Sequence, residues 1–249
     1  KQEIARLTSI DVTLFYRDTR DWVGISPTIK KYPVGNYRKY QNMDYANTRG
    51  FTIMLERRYQ NNFGLNIDYS WMLAEGTYSN PTDAYFDALN DQSPRLAMGP
   101  LNWDQTHTLN LRLTVGGENW ITSIIGNYWS GKPYTPEFKT GSVSGSSAFA
   151  GFAENSSRKP NIISIDMRTS YELKLLGFRS NLFVNIYNLF DIRNEINVWN
   201  DTGRATYTLS ANDVSLTNPE RIGNLTEHLL KPEWYSEPRK IDIGLKISF

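Results

Sequence analysis

The stretch Ile241-Asp-Ile-Gly-Leu-Lys-Ile-Ser-Phe249 closes the chain and decides its fold. Ile241, Ile243, Leu245, Ile247 and Phe249 alternate without a break with Asp242, Gly244, Lys246 and Ser248. Successive side chains of a β-strand point to opposite faces, so this segment is a strand with one apolar face and one polar face. A soluble sandwich can contain one such strand. A transmembrane barrel needs them all the way round.

The pattern recurs upstream. Ser9–Asp18 sets Ile10, Val12, Leu14 and Tyr16 against Asp11, Thr13, Phe15 and Arg17. A strand running to Tyr59 carries Phe51, Ile53 and Leu55 on one face. The next sets Phe63, Leu65, Ile67, Tyr69, Trp71 and Leu73 against Gly64, Asn66, Asp68 and Ser70. Leu109, Leu111, Leu113 and Val115 oppose Thr108, Asn110, Arg112 and Thr114, while Trp120–Ser130 is ambiguous in phase. Ile163, Ile165, Met167, Thr169, Tyr171, Leu173 and Leu175 oppose Ser164, Asp166, Arg168, Ser170, Glu172 and Lys174. A seventh strand starts at Phe178 and carries Leu182, Val184 and Ile186. These strands run about 10 to 14 residues, longer than usual in globular sheets and suited to a tilted bilayer crossing.

The connections alternate in length. Gln60–Asn62, Gly116–Asn119 and Leu176–Gly177 are tight turns; Arg20–Asn42, Glu75–Asn102, Gly131–Pro160 and Ile192–Pro238 are long. Short turns at one end and long loops at the other are the outer-membrane pattern, with the tight turns periplasmic. The expected fold is therefore all-β: an antiparallel transmembrane β-barrel segment of about eight strands.

Composition agrees. The 249 residues carry a net charge of +1, too small a field to recruit nucleic acid. Mean hydropathy is −0.51. No run of 18 apolar residues exists, which excludes transmembrane helices but not barrel strands. Cysteine is absent, so there is no disulfide framework and no thiolate chemistry.

The polar faces place Asp68, Arg112, Asp166, Arg168, Glu172 and Lys174 toward a lumen. Trp22, Trp71, Trp129, Tyr69, Tyr128 and Tyr171 suit aromatic girdles at the bilayer interface. Asp83, Asp87 and Asp91 are four residues apart but lack the alternating ligands and glycine of a calcium loop, so they read as a solvated helix face. His107 and His228 are the only histidines, and His107 falls on an apolar face with no acid partner in sequence. No catalytic, cofactor or metal site is expected.

Asn181-Leu-Phe-Val-Asn-Ile-Tyr-Asn-Leu-Phe-Asp191 resembles the penultimate strand of TonB-dependent outer-membrane receptors, with Asn188, Leu189, Phe190 and Asp191 as the family motif. The terminal strand is similar to that family's last strand, whose final aromatic belongs to the signal read by the barrel-assembly machinery. Here that implies Ile241, Ile243, Leu245, Ile247 and Phe249. Asn47-Thr48-Arg49-Gly50-Phe51 and Ser130-Gly131-Lys132-Pro133-Tyr134 also resemble family stretches, and Pro232–Pro238 is similar to Bacteroidota members.

The family places a globular plug ahead of a barrel of about 22 strands. This chain has no plug and no TonB box. The resemblance thus implies that residues 1–249 are the C-terminal portion of such a barrel, with Phe249 a true end and Lys1 not a beginning. It further implies a transport receptor in the outer membrane of a Gram-negative bacterium. Its partners would be outer-membrane lipid, the assembly machinery, and the TonB complex through the missing plug. The ligand would be scarce: a siderophore, cobalamin, glycan or peptide. Loop aromatics Tyr78, Tyr85, Trp103, Tyr134 and Trp199 would contact it, with Phe86, Phe138, Phe149, Phe152 and Tyr207 adding aromatic surface. The alternatives are a complete eight-stranded barrel with an adhesive role and an outer-membrane barrel hydrolase.

Overall fold

A computed structural model of the chain describes residues 1–26, 28–33, 35–85, 97–137, 154–175, 178–209, 227 and 229–248. The strands are β1 (Gln2–Ala5), β2 (Thr8–Ile25), β3 (Ile29–Lys31), β4 (Gly35–Tyr37), β5 (Tyr40–Gln60), β6 (Phe63–Gly76) and β7 (Gly99–Pro100). They continue as β8 (His107–Gly116), β9 (Trp120–Trp129), β10 (Pro133–Tyr134), β11 (Ser157–Arg158), β12 (Ile162–Leu175), β13 (Phe178–Tyr187) and β14 (Lys240–Ser248). One ten-stranded sheet runs β1-β2-β5-β6-β8-β9-β12-β13-β14, with β7 added to β6; β3–β4 and β10–β11 are separate ribbons. Its pairings are antiparallel. The fold is the all-β class expected from alternation, and no helix among the described residues is long and apolar enough to cross a membrane.

The boundaries differ from the sequence reading chiefly around the first hairpin, although β6 also runs into the expected Glu75–Asn102 loop, which holds β7, and β10 and β11 lie inside Gly131–Pro160. β1 precedes the first expected strand and turns into β2 through Leu7, whose φ is 64°. Arg20–Asn42 is not one long loop: β2 and β5 pair as far as Ile25–Tyr40. Alternation fails in this extension because the register shifts between Thr19 and Trp22, with Asp21 at φ 57°. Such a bulge reverses which face the next residues occupy. The β5–β6 turn lies where expected, and Asn61 and Asn62 both take positive φ there, as a tight hairpin demands and asparagine tolerates. The Leu176–Gly177 turn and Phe249 lie outside the described residues.

The sheet has little conventional core. Ala46, Ala74 and Leu101 form its buried apolar cluster, with Trp22 packed against it. The long-strand apolar side chains stand outside that cluster: Leu14 is 80% exposed and Ile243 is 70% exposed. Among the described residues no second layer covers them. β1 and β14 end the path without pairing to each other, so the described sheet is open.

Candidate functional site

Register links the strands into one surface. A single cross-strand row runs Thr8, Arg57, Leu65, Leu113, Ile124, Met167, Ile186, Ile241. On either side of it the same face carries Leu55, Ile67 and Leu111, then Val184 and Ile243. The result is a continuous apolar belt, Ile10 to Tyr16 in β2 and Ile241 to Ile247 in β14.

The belt does not follow the row. The row begins just below the belt in β2 and ends at its top in β14. The offset is about eight residues over seven strand steps, or ~26 Å of strand against ~34 Å of sheet width, which tilts the strands by roughly 38°. Transmembrane barrel strands tilt by about 35–45°. At that tilt Ile163 to Leu173 gives a belt roughly 26 Å high, against the ~25 Å apolar band of such barrels.

Aromatic side chains mark both margins. Phe51 stacks on Trp71 at 5.7 Å and meets Tyr69 edge-on at 6.0 Å along the upper margin. Trp120 pairs with Tyr171 along the lower one. Tyr69, Tyr128, Trp71 and Tyr171 thus lie on the belt face, as expected. Trp22 and Trp129 do not. The bulge turns Trp22 onto the Ala46–Ala74–Leu101 cluster and edge-on to Trp103, 5.5 Å away. Trp129 pairs with Thr108 and Ile162 and shares their polar face. The ambiguous strand has Trp120, Thr122, Ile124, Gly126 and Tyr128 on the belt face, so Trp129 falls opposite.

The other face is polar and concave. Asp11, Glu56, Asn66, Asp68, Asn110 and Arg112 line a hollow of about 330 Å³ across adjacent strands. Asp166 and Arg168 continue this face, pairing with Ile125 and Ser123, as do Glu172 and Lys174, opposite Asn181 and Arg179. A soluble sheet that curls around a core does so toward its apolar face. This one has its hollow on the polar face.

The Asn188–Asp191 stretch is a fastening. Asn188 (φ 52°) and Asp191 (φ 55°) both take the left-handed conformation. The Asn188 amide donates to the Ile192 carbonyl at 3.0 Å and the Glu237 carbonyl at 2.9 Å, and accepts from the Ile192 N–H at 2.9 Å. Asp191 accepts from the Arg239 N–H at 2.8 Å. The motif thereby ties the end of β13 to the residues that enter β14. Phe190 stands 65% exposed. Asn194 acts similarly: its amide takes both the N–H and the C=O of Ile163, at 2.8 and 2.7 Å, in place of a strand partner.

The five loop aromatics pack separately. Tyr78 is buried and Trp103 meets Trp22. Tyr85 lies under the Arg38 guanidinium at 4.8 Å. The Tyr134 hydroxyl lies against Gly203, whose φ of +69° already favours glycine. Trp199 packs on Trp234 at 4.8 Å. Tyr207 is exposed. Phe86, Phe138, Phe149, Phe152, Asp87, Asp91 and His228 lie outside the described residues. Asp83 accepts from the Asn80 N–H at 2.8 Å. His107 sits on the belt face, where its Nδ1 pairs with the Tyr69 hydroxyl at 2.9 Å.

A second cavity, about 370 Å³, lies at the long-loop rim, lined among others by Trp129, Lys132, Lys159, Glu195 and Asn197. Gly131 makes this corner possible, because a Cβ there would collide with the Lys159 carbonyl. Glu195 is buried and gripped by Arg204 at 2.6 Å and by the Ala205 N–H at 2.7 Å. The Arg204 hydrogen bonds, seconded by Ala205, hold its carboxyl below the usual glutamate range. Burial, then the neighbouring Lys132 charge, lowers the Lys159 ammonium. At the top of β5, well above the belt, burial raises Asp44; a Thr77 hydroxyl at 3.1 Å only partly offsets it. Alternation marked neither Trp129 nor the lysines as a unit, because what joins them is pairing between distant segments.

No family model matches the chain, and no curated protein matches it in sequence. Among solved structures it is similar to the outer membrane transporter YddB from Escherichia coli: 13% identity, TM-score 0.55, covering 80% of this chain and 28% of that one. It is also similar to the closed form of the Ferric-Catecholate import receptor Fiu from K12 E. coli: 16% identity, TM-score 0.47, covering 81% and 23%. The chain therefore spans roughly a quarter of the length of these proteins. The YddB likeness establishes the fold, an antiparallel sheet of the outer-membrane barrel type.

Proposed function

We propose that the chain is a wall segment of an outer-membrane active transporter, a TonB-dependent receptor barrel that imports a scarce ligand. The observation that carries this reading is the apolar belt. It is exposed, bounded by aromatics, tilted against the strands, and backed by a polar concave face. An uncovered apolar face of this extent is costly in water and favourable in lipid. The long loops would form the ligand entrance. Energy would pass from the TonB complex through a plug domain outside these 249 residues. Ile241, Ile243, Leu245, Ile247 and Phe249 would serve as the assembly signal.

The open sheet favours this over a complete small barrel. An eight-stranded closure would pair the last strand with the first, and leaves room only for side chains. A hydrolase is disfavoured by His107, which faces the belt and bonds a tyrosine hydroxyl. The test is uptake by cells of labelled siderophores, cobalamin, glycans and peptides, with and without the full-length protein. Uptake of one class should require both the protein and TonB. Protein-dependent uptake that persists without TonB would reject active transport, and a full-length protein absent from the outer-membrane fraction would reject the whole reading.

A further inference from the structure

Lys132 and Lys159 stand directly opposite each other at the base of the β10–β11 ribbon. The register pairs Pro133 with Arg158, and the Lys159 N–H donates to the Lys132 carbonyl at 3.0 Å. Like charges directly opposite on paired strands destabilise the pair. Among the described residues no carboxylate relieves them. Among the described residues Lys159 reaches neutral acceptors, the Ile196 carbonyl at 3.3 Å and Asn197 Oδ1 at 3.4 Å. Neither lysine forms a salt bridge with a described carboxylate.

Among the described lining residues the one carboxylate is Glu195. It is already spent: Arg204 takes both of its oxygens and the Ala205 N–H takes one again. The described lining of the cavity therefore keeps a surplus of positive charge. Trp129 gives it an indole wall, and Gln105 and Asn197 contribute amides. A local rule broken at a cavity, without compensation from the protein, is the mark of a site whose compensation comes from a ligand.

We propose that this rim cavity is a subsite for an oxyanion, a carboxylate or phosphate group of a small solute, bridged between Lys132 and Lys159 beside Trp129. The subsite rests on the transport reading only for what it would contribute there, selection of anionic ligands at the entrance. Its own existence is testable apart from uptake.

The experiment titrates inorganic phosphate and citrate, with glucose as a neutral control, into the full-length protein in detergent, and reads binding by calorimetry. Both anions should saturate one site and weaken with added salt. Lys132→Gln and Lys159→Gln should each weaken binding by about tenfold, the scale of one lost charged hydrogen bond. Lys132→Arg and Lys159→Arg should largely restore it. A quenching difference between the wild type and Trp129→Phe on anion addition locates the site. Unchanged affinity in both glutamine variants, glucose binding as well as citrate, or no saturation by either anion would overturn the subsite. Fractionation of the same variants keeps the two readings apart. Variants found in the outer membrane with unaltered anion binding sink the subsite alone, whereas absence of the wild-type protein from that membrane, with its anion binding intact, sinks the transport reading alone.

Discussion

Replacing Asn188 by alanine should loosen the entry to the last strand without disturbing the belt. The asparagine side chain makes three hydrogen bonds, two to Ile192 and one to the Glu237 carbonyl. The site is half-buried, so water recovers part of each bond; about 0.5 kcal/mol apiece, the low end for a net hydrogen bond, gives roughly 1.5 kcal/mol. The φ of 52° adds a second cost. Alanine in the left-handed region costs roughly 1 kcal/mol, which glycine avoids. The alanine variant should therefore lose about 2.5 kcal/mol of local stability and the glycine variant about 1.5 kcal/mol, or roughly 70-fold and 10-fold in the opening equilibrium. Hydrogen exchange of the peptide spanning Ser236 to Asp242 in the full-length protein reads this directly. The Arg239 amide, bonded to Asp191, should exchange faster in that order. Amides of β9 should not change. Wild-type exchange at Arg239 in both variants would refute the fastening. Equal exchange in alanine and glycine variants would refute the backbone part.

Three further outcomes follow from the two faces and the buried carboxylates. Ile124 lies in the middle of the belt and Ile125 lines the polar hollow, so Ile124→Arg should lower assembled, heat-modifiable barrel by about 2–4 kcal/mol of stability while Ile125→Arg leaves it nearly intact; equal yields would contradict the facing. Glu195 is held below its ordinary range, so its contribution is complete above the unfolded glutamate value and fades as pH falls through the folded one. Proteolysis of the 195–205 segment should rise on acidification in the wild type and be high and pH-insensitive in Glu195→Gln. Asp44 has the opposite sign: raised by burial, it is most favourable below the ordinary aspartate range and weakens the fold as pH rises through its folded value. Asp44→Asn should slow exchange around Thr77 at neutral pH; faster exchange there would mean that the ionised carboxylate stabilises the loop base.

Period-two alternation is local, and what it decides was legible in the chain. Leu65, Ile67 and Tyr69 need only one another to declare a face, and the sheet pairs them with Leu113, Leu111 and Leu109 in register. What depends on pairing was not legible. Trp120–Trp129 places apolar residues on both faces, and only its neighbours β8 and β12 decide that Trp129 turns inward. The bulge between Thr19 and Trp22 hides behind a polar run, so Trp22 read as a girdle residue when it is a packing residue. Asn188 and Asp191 were legible as a motif but not as a mechanism, because their partners Glu237 and Arg239 lie across the long excursion between β13 and β14.

The described sheet has two bare edges. Beyond Ile10, β2 has no partner on its outer side among the described residues, and neither has β14. Both edges cross the apolar belt. In water an unpaired strand edge is solvated at small cost, but in lipid each unsatisfied backbone group costs several kcal/mol. Under the proposed membrane reading, a belt this apolar with edges this bare calls for strands paired to β2 and β14. The slide of about one residue per strand states how those strands must join, since a barrel closes only when tilt and stagger are shared all round. Strands that continued the row without the slide would bring turn and loop residues to the height of the belt. Partner strands of the intact protein should therefore cross beside Val12 to Tyr16 and beside Ile241 to Ile247 at the same tilt. Cysteine cross-linking from Leu14 and Ile243 to the adjoining strands would find them, and failure at both edges in the assembled protein would leave the belt without a membrane to explain it.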